Sequence, residues 1–238
     1  MIDPPLAQDA YNLLADDYAA RIDSKAHNAF YDRPAVLSLL PDVAGWQVLD
    51  AGCGPGAYAE WLLNHGAQVV AVDANEKMLA HARARTGDRA EFHLANLNAP
   101  LDFLDDATFD LVICPLVLDY IRDWTPLFGE FHRVLRPGGV LVFSHGHPAS
   151  DFFLYYSDGN YHEVEAVSWE WTGFGTPVVM PSFRRPLAAV FNPLIDAGFV
   201  LDRVLEPRPV EAFRDAEPET YERLMRQPGF LCIRAVKR

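Results

Sequence analysis

Between Val48 and Gly139 short apolar runs alternate with stretches of helical character, each pair separated by a turn. That rhythm belongs to βαβ units feeding a parallel sheet. The runs at 47–50, 68–73, 109–114 and 140–144, with a weaker one at 91–94, are continuous in apolar character. Strands covered by helices on both faces read this way, whereas half-exposed strands alternate. The first helix is expected over 56–65, stopping at Gly66; the second starts at Asn75, a good N-cap residue, and ends before Gly87. A third follows Pro126 and ends at 136–139, an Arg-Pro-Gly-Gly sequence. Residues 6–40 read as helices, with Tyr11, Leu14 and Tyr18 on one face, and would form an N-terminal cap. From 146 to about 185 the rhythm is lost. There Asp158-Gly159 gives a hairpin signal between aromatic runs at 152–156 and 167–171, which predicts an insertion. A helix to Ala197-Gly198 and late strands at 199–205 and 230–236 follow, the strands separated by a Pro- and Glu-rich stretch.

The 238 residues fit one α/β domain in four segments: a helical cap at 1–45, a core at 46–145, an insertion at 146–185 and a closing portion at 186–238. With 50% apolar and 22% charged residues the composition is that of a soluble globular protein. The formal charge of −13 repels phosphate backbones and anionic membranes, which argues against nucleic-acid and membrane partners. Cys53, Cys114 and Cys232 form no C-x-x-C pair, no signal peptide opens the chain, and no long apolar run occurs, so a cytoplasmic location is expected. A monomer or homodimer is expected.

The most informative stretch is Val48-Leu49-Asp50-Ala51-Gly52-Cys53-Gly54-Pro55-Gly56-Ala57, a strand entering a glycine turn and then a helix. Glycines let the backbone pass close to a ligand. Taken alone, Gly52, Gly54 and Ala57 satisfy the dinucleotide pattern G-x-G-x-x-G/A, and Asp73 stands where a ribose-binding acid belongs. Asp50 separates the alternatives by charge, because a carboxylate there repels a pyrophosphate and favours a cationic ligand. S-adenosylmethionine, with a sulfonium and an ammonium and no phosphate, is such a ligand.

D-A-G-C-G-P-G after V-L, then V-V-A-V-D, F-D-L-V-I-C and R-V-L-R-P-G-G-V-L-V-F, resembles the class I S-adenosylmethionine-dependent methyltransferases over roughly residues 46–144. The resemblance implies a doubly wound, mostly parallel seven-stranded sheet with an antiparallel last strand beside the fifth. It also implies a set of cofactor contacts. Asp50, Gly52, Gly54 and Gly56 match the motif at the methionine end, Asp73 the acid on the ribose hydroxyls, and Ala74 and Met78 the adenine packing. Asn96-Leu97 matches the loop at the adenine amino group, where the family commonly has Asp in place of Asn96. Pro115 to Val117 matches the segment under the methionine. Tyr11 and Tyr18 resemble the aromatic pair that closes over the cofactor in small-molecule members.

Methyl transfer from a sulfonium is an in-line displacement, so the protein aligns the acceptor and, for a protic acceptor, removes a proton. Eight aromatics fall within 152–174: Phe152, Phe153, Tyr155, Tyr156, Tyr161, Trp169, Trp171 and Phe174. That density suggests a pocket wall for a small organic acceptor, or else an interface. His147, at the exit of the fifth strand, is the first candidate for a general base, with His145, Asp119 and Tyr120 as alternatives. An H-x-H metal site lacks an obvious third ligand, and no metal is expected. Two other readings remain open on the residues: a nicotinamide-dependent oxidoreductase, and a non-catalytic protein that keeps the fold.

Overall fold

A computed structural model describes residues 4–155 and 158–238. Seven strands form one sheet: β1 (Gln47–Ala51), β2 (Gln68–Asp73), β3 (Ala90–Leu94), β4 (Phe109–Pro115), β5 (Leu135–Gly146), β8 (Phe199–Leu205) and β9 (Phe230–Lys237), in the order β3-β2-β1-β4-β5-β9-β8. The first five are parallel; β9 runs antiparallel between β5 and β8. The expected topology is thus observed, and its cause is visible in side-chain alternation. Val48, Leu111 and Val142 enter one apolar layer with Leu62 of α3 (Ala57–Asn64) and Leu79 of α4 (Glu76–Thr86), while Leu49, Val112 and Phe143 enter the other with Phe128 and Phe131 of α5 (Thr125–Val134) and Leu194 of α7 (Leu187–Asp196). Because both faces are buried, the strands show no polar alternation in sequence.

Three expectations need correction. The third helix ends at Val134, and 136–139 form an irregular stretch inside β5, since Leu135 pairs with Phe109 and pairing resumes at Val140 with Leu111. Asp158-Gly159 is not the hairpin turn. The hairpin of the insertion is β6 (Glu165–Trp171) with β7 (Val178–Arg184), closed by residues 172–177, where Gly175 has φ +102°. The earlier aromatic run falls on a wide helical turn at Asp151–Tyr155, which follows the short α6 (Pro148–Ser150); Tyr156 lies outside the described residues. The Pro- and Glu-rich stretch holds two short helices, α8 (Glu211–Ala216) and α9 (Pro218–Leu224).

Before β1 lie α1 (Gln8–Arg21), a wide turn at Asn28–Asp32, and α2 (Arg33–Ser38). Polar contacts fasten α1 on both sides. Toward α4, Asn75 Nδ2 donates to Asn12 Oδ1 (2.8 Å), Lys77 Nζ donates to Asn12 O (2.9 Å) and His81 Nε2 lies 2.7 Å from Asp16 Oδ1. Toward the insertion, Thr176 Oγ1 donates to Asp17 Oδ2 (3.0 Å) and Arg21 donates to the Phe174 carbonyl. Among the described residues, no helix is long and apolar enough to cross a membrane.

Candidate active site

The sheet's switch point lies between β1 and β4, where crossovers leave in opposite directions and open a crevice at the carboxyl ends of the strands. There a cleft encloses about 1060 Å³, its open mouth included. Its wall contains Gly52, Gly54, Asp73, Ala74, Met78, Asn96, Leu97, Pro115 and Val117 of the expected cofactor set, and Tyr11, Tyr18 and Tyr120. Gly52 N–H and Cys53 N–H donate to Val72 O at 2.8 and 2.9 Å, so the glycine loop is stitched to the end of β2. Gly52 has φ +82°, and a Cβ there would lie 2.3 Å from Val117 Cγ2, so only glycine lets the loop approach the exit of β4.

Asp73, at the end of β2, accepts from Gly54 N–H through Oδ2 and from Asn75 N–H through Oδ1, both at 2.8 Å. Asp73 also lines the cleft, and a carboxylate has acceptor capacity beyond these two bonds. Burial raises its carboxyl above the usual range despite these donors. Asn75 caps α4 by accepting from Lys77 N–H and Met78 N–H, which sets the buried Met78 in the wall. The Asn96 side-chain carbonyl accepts from Asn98 N–H at 3.0 Å, which fixes the loop after β3 at the cleft wall.

Two members of the expected set are not on the wall. Asp50 is wholly buried in β1, and neither oxygen has a well-formed hydrogen bond among the described residues. Burial first, then the Asp73 carboxylate, push its carboxyl up to about 8, so it is protonated near neutral pH. Gly56, with φ +83°, starts α3 and packs its Cα face against Ala82 of α4. Its role is helix entry and close packing, with no exposure to the cleft.

The proposed bases are also relocated. His147 Nδ1 accepts from Ala149 N–H (3.1 Å) at the start of α6, and its Nε2 lies 2.8 Å from Glu206 Oε1. Both nitrogens are engaged away from the cleft wall, so His147 is a helix cap that also hydrogen-bonds Glu206. His145 is buried beside Trp124, with ring centroids 5.1 Å apart; burial first, then Arg185 and His147, hold its imidazole near 3 and therefore neutral. Asp119 accepts from Gly146 N–H at 2.9 Å, and burial pushes its carboxyl up to about 6; it too is absent from the wall. Of the four candidates only Tyr120 faces the cleft, its hydroxyl 2.9 Å from that of Tyr11.

The aromatic insertion stands one layer behind the wall. Phe174 stacks on Tyr18 at 4.5 Å between centroids, and Trp171 meets Tyr18 edge-on at 6.2 Å. Its described residues therefore back the tyrosines of α1 and do not form the cleft surface themselves.

Sequence reasoning missed the far end of the cleft, which is lined by Asn28, Asp32, Arg33 and Tyr58. Arg33 uses its terminal nitrogens on Asp23 Oδ1 (3.2 Å) and Ile22 O (3.1 Å), while its buried Nε has no hydrogen-bond partner among the described residues. The signal available was the adjacent Asp32-Arg33 pair inside the otherwise apolar run before β1.

Residues 49–143 match the family model described as a methyltransferase domain. The solved structure of an S-adenosylmethionine-dependent methyltransferase from Mesorhizobium loti is 31% identical, covers 91% of this chain and 100% of its own, and superposes with a TM-score of 0.70. The chain belongs to the S-adenosylmethionine-dependent methyltransferases. A protein of Haemophilus influenzae without an assigned activity is 27% identical over 230 residues, 88% of each chain. A malonyl-[acyl-carrier protein] O-methyltransferase of Enterobacter lignolyticus is 36% identical over 120 residues, 50% of this chain and 47% of that protein. The methyltransferase thus spans about half the length of that carrier-dependent relative.

The cofactor of this methyltransferase is S-adenosylmethionine, and the residues present fit it. Asp50 is a buried carboxyl with unused oxygens that a nearby cation would ionise, Asp73 keeps acceptor capacity on the cleft wall, and a Cβ at Gly54 would meet nothing within 4 Å. The oxidoreductase alternative is set aside by the family match.

Proposed function

We propose that this methyltransferase methylates an oxygen, nitrogen or carbon atom of a small molecule seated beneath α1. The observation that supports this reading is the enclosure of the cleft by a helix pinned on both sides, to α4 and to the β6–β7 hairpin. A folded macromolecule would have to unseat α1 to reach the cleft floor, and the charge of −13 disfavours nucleic acid in particular.

In this reading Asp73 accepts from the ribose hydroxyls, Ala74, Met78, Asn96 and Leu97 surround the adenine, and Gly52, Gly54, Pro115 and Val117 flank the methionine. Asp50 acts from below the loop, gaining charge as a cation approaches. Bound there, S-adenosylmethionine supplies an electrophilic methyl carbon on a sulfonium. The chain's own contribution is alignment and exclusion of water by Tyr11, Tyr18 and Tyr120. Burial raises all three phenols above their ordinary range, so each stays protonated at neutral pH and orients the acceptor as a hydrogen-bonding group.

A second reading, a carboxylic-acid acceptor carried by a protein, draws on the name of the Enterobacter relative and on the unpartnered Arg33 Nε–H, which suits a carboxylate. A screen for S-adenosylhomocysteine release separates the two. Turnover of a free phenol, amine or acid supports the small-molecule reading; turnover confined to a carrier-bound malonyl thioester replaces it.

A further inference from the structure

Asp32 joins four separate segments of the cleft. It ends the wide turn before α2 and is 2% exposed. Ser144 Oγ, from β5, donates to Asp32 Oδ1 at 2.6 Å, and Tyr58 Oη, from α3, donates to Asp32 Oδ2 at 2.7 Å. Ser144 in turn accepts from Leu116 N–H, through its carbonyl at 2.9 Å and its Oγ at 3.2 Å. Leu116 follows β4 on the cleft wall with φ +55°, a left-handed conformation that a leucine holds only under restraint.

A carboxylate accepts only, so with Asp32 ionised both hydroxyl protons must point at it. The Ser144 lone pairs are then free for Leu116 N–H. Protonated Asp32 must instead donate to one of these hydroxyls, turning that hydroxyl's proton elsewhere and breaking the set. We propose that Asp32 is a positioning residue of the methyl-transfer site, whose carboxylate sets the Tyr58 and Ser144 hydroxyls and, through Ser144, the Leu116 turn beside the methionine. The inference rests on the reading that Pro115 to Val117 flank the methionine.

The surroundings make Asp32 the group that changes charge in mildly acidic solution. Burial pushes its carboxyl up to about 6, against the hydrogen bonds from Ser144 and Tyr58 and the charge of Arg33, which pull it down. The groups that face it from neighbouring elements are Tyr18 of α1, Tyr58 of α3 and Cys232 of β9. Burial raises all three, so they remain neutral, and Arg33 remains charged.

Calorimetric titration of the intact protein with S-adenosylmethionine and with S-adenosylhomocysteine, from about pH 5 to 8, tests this. If binding depresses the Asp32 pKa by about one unit, affinity rises about tenfold through a limb between about pH 5 and 6, and any further rise toward pH 8 belongs to Asp50. Asp32→Asn should flatten that limb while leaving any response near pH 8 from Asp50. Tyr58→Phe and Ser144→Ala should each keep the limb but move its midpoint to higher pH, because each removes a bond that favours the ionised form. A folded Asp32→Asn protein that retains the whole limb overturns the proposal. Should that variant not fold, an unmoved midpoint in Tyr58→Phe overturns it equally. Absence of binding at every pH would sink the cofactor placement and this inference with it; binding without a pH response sinks this inference alone.

Discussion

Asp73 does two things with one carboxylate. It holds Gly54 N–H and Asn75 N–H, and so ties the glycine loop to the start of α4. Asp73→Ala is therefore expected to weaken S-adenosylhomocysteine binding by about 2 kcal/mol and also to lower the melting temperature, since charge-assisted bonds to backbone are lost with the ribose contacts. Calorimetry and thermal melting read the two effects separately; unchanged affinity would remove Asp73 from the ribose. Asp50 behaves in the opposite sense. Its carboxyl is near 8 in the folded protein and near 3.9 when unfolded, so the folded state holds the proton longer and stability falls as pH rises between those values. Asp50→Asn should make the ligand-free protein more stable than the wild type by at least about 1 kcal/mol at pH 8, with the difference vanishing toward pH 4. Urea melts at the two pH values check this, and an equal difference at both would contradict the protonation argument. Asp50 is neutral at rest, so the charge that distinguishes it in the sequence would act on a ligand only by ionisation as a cation approaches.

Elements matter to this site through what they bring across the crevice. The stripe of Tyr11, Leu14 and Tyr18 is readable as helical spacing, but spacing does not say what the stripe covers. In the structure Leu14 is fully buried while the tyrosines face the cleft, backed by Phe174 and Trp171 of the insertion. Tyr11 and Tyr120 join α1 to the turn after β4 through their hydroxyls. Tyr11→Phe removes that bond, worth about 1 kcal/mol, and should speed S-adenosylhomocysteine dissociation about fivefold with little change in association. Stopped-flow displacement measures it, and an unchanged dissociation rate would mean that α1 is not held shut at this point. The βαβ rhythm of the core was legible because each element is regular and short-range. The insertion was not: its aromatic residues and its Asp158-Gly159 pair suggested a different hairpin from the one that forms, because β6 and β7 pair across the longer connection at 172–177, with β7 packed on α1, and carry no two-residue turn signal.

At the scale of the whole molecule, a ligand that binds the folded state and not the unfolded chain stabilises the fold by mass action. At a hundred times its dissociation constant, S-adenosylhomocysteine should add about 2.7 kcal/mol and raise the melting temperature by roughly 5 to 10 °C, whereas NADH at the same concentration should not. Differential scanning calorimetry decides this; an equal shift with NADH would reopen the cofactor assignment. The net charge acts at this scale too, because −13 spread over the surface disfavours polyanions without specifying any acceptor.

The sequence by itself determined the strand positions and the glycine loop, through apolar periodicity and residues with special backbone freedom, both of them local. The strand order and the cofactor class were legible through the resemblance of its motifs to the methyltransferase family. Tertiary structure alone decided which of those residues reach the cleft. His147, His145 and Asp119 carry suitable chemistry and sit beside the right strand ends, yet a helix cap, burial and a backbone N–H claim them. Asp32, Arg33 and Tyr58 belong to no motif and become neighbours only when the segment before β1, the start of α3 and the end of β5 close on one another. A side chain's chemistry can be read from its identity, but its solvation and its partners are properties of segments far apart in the chain, and those set its charge and its reach.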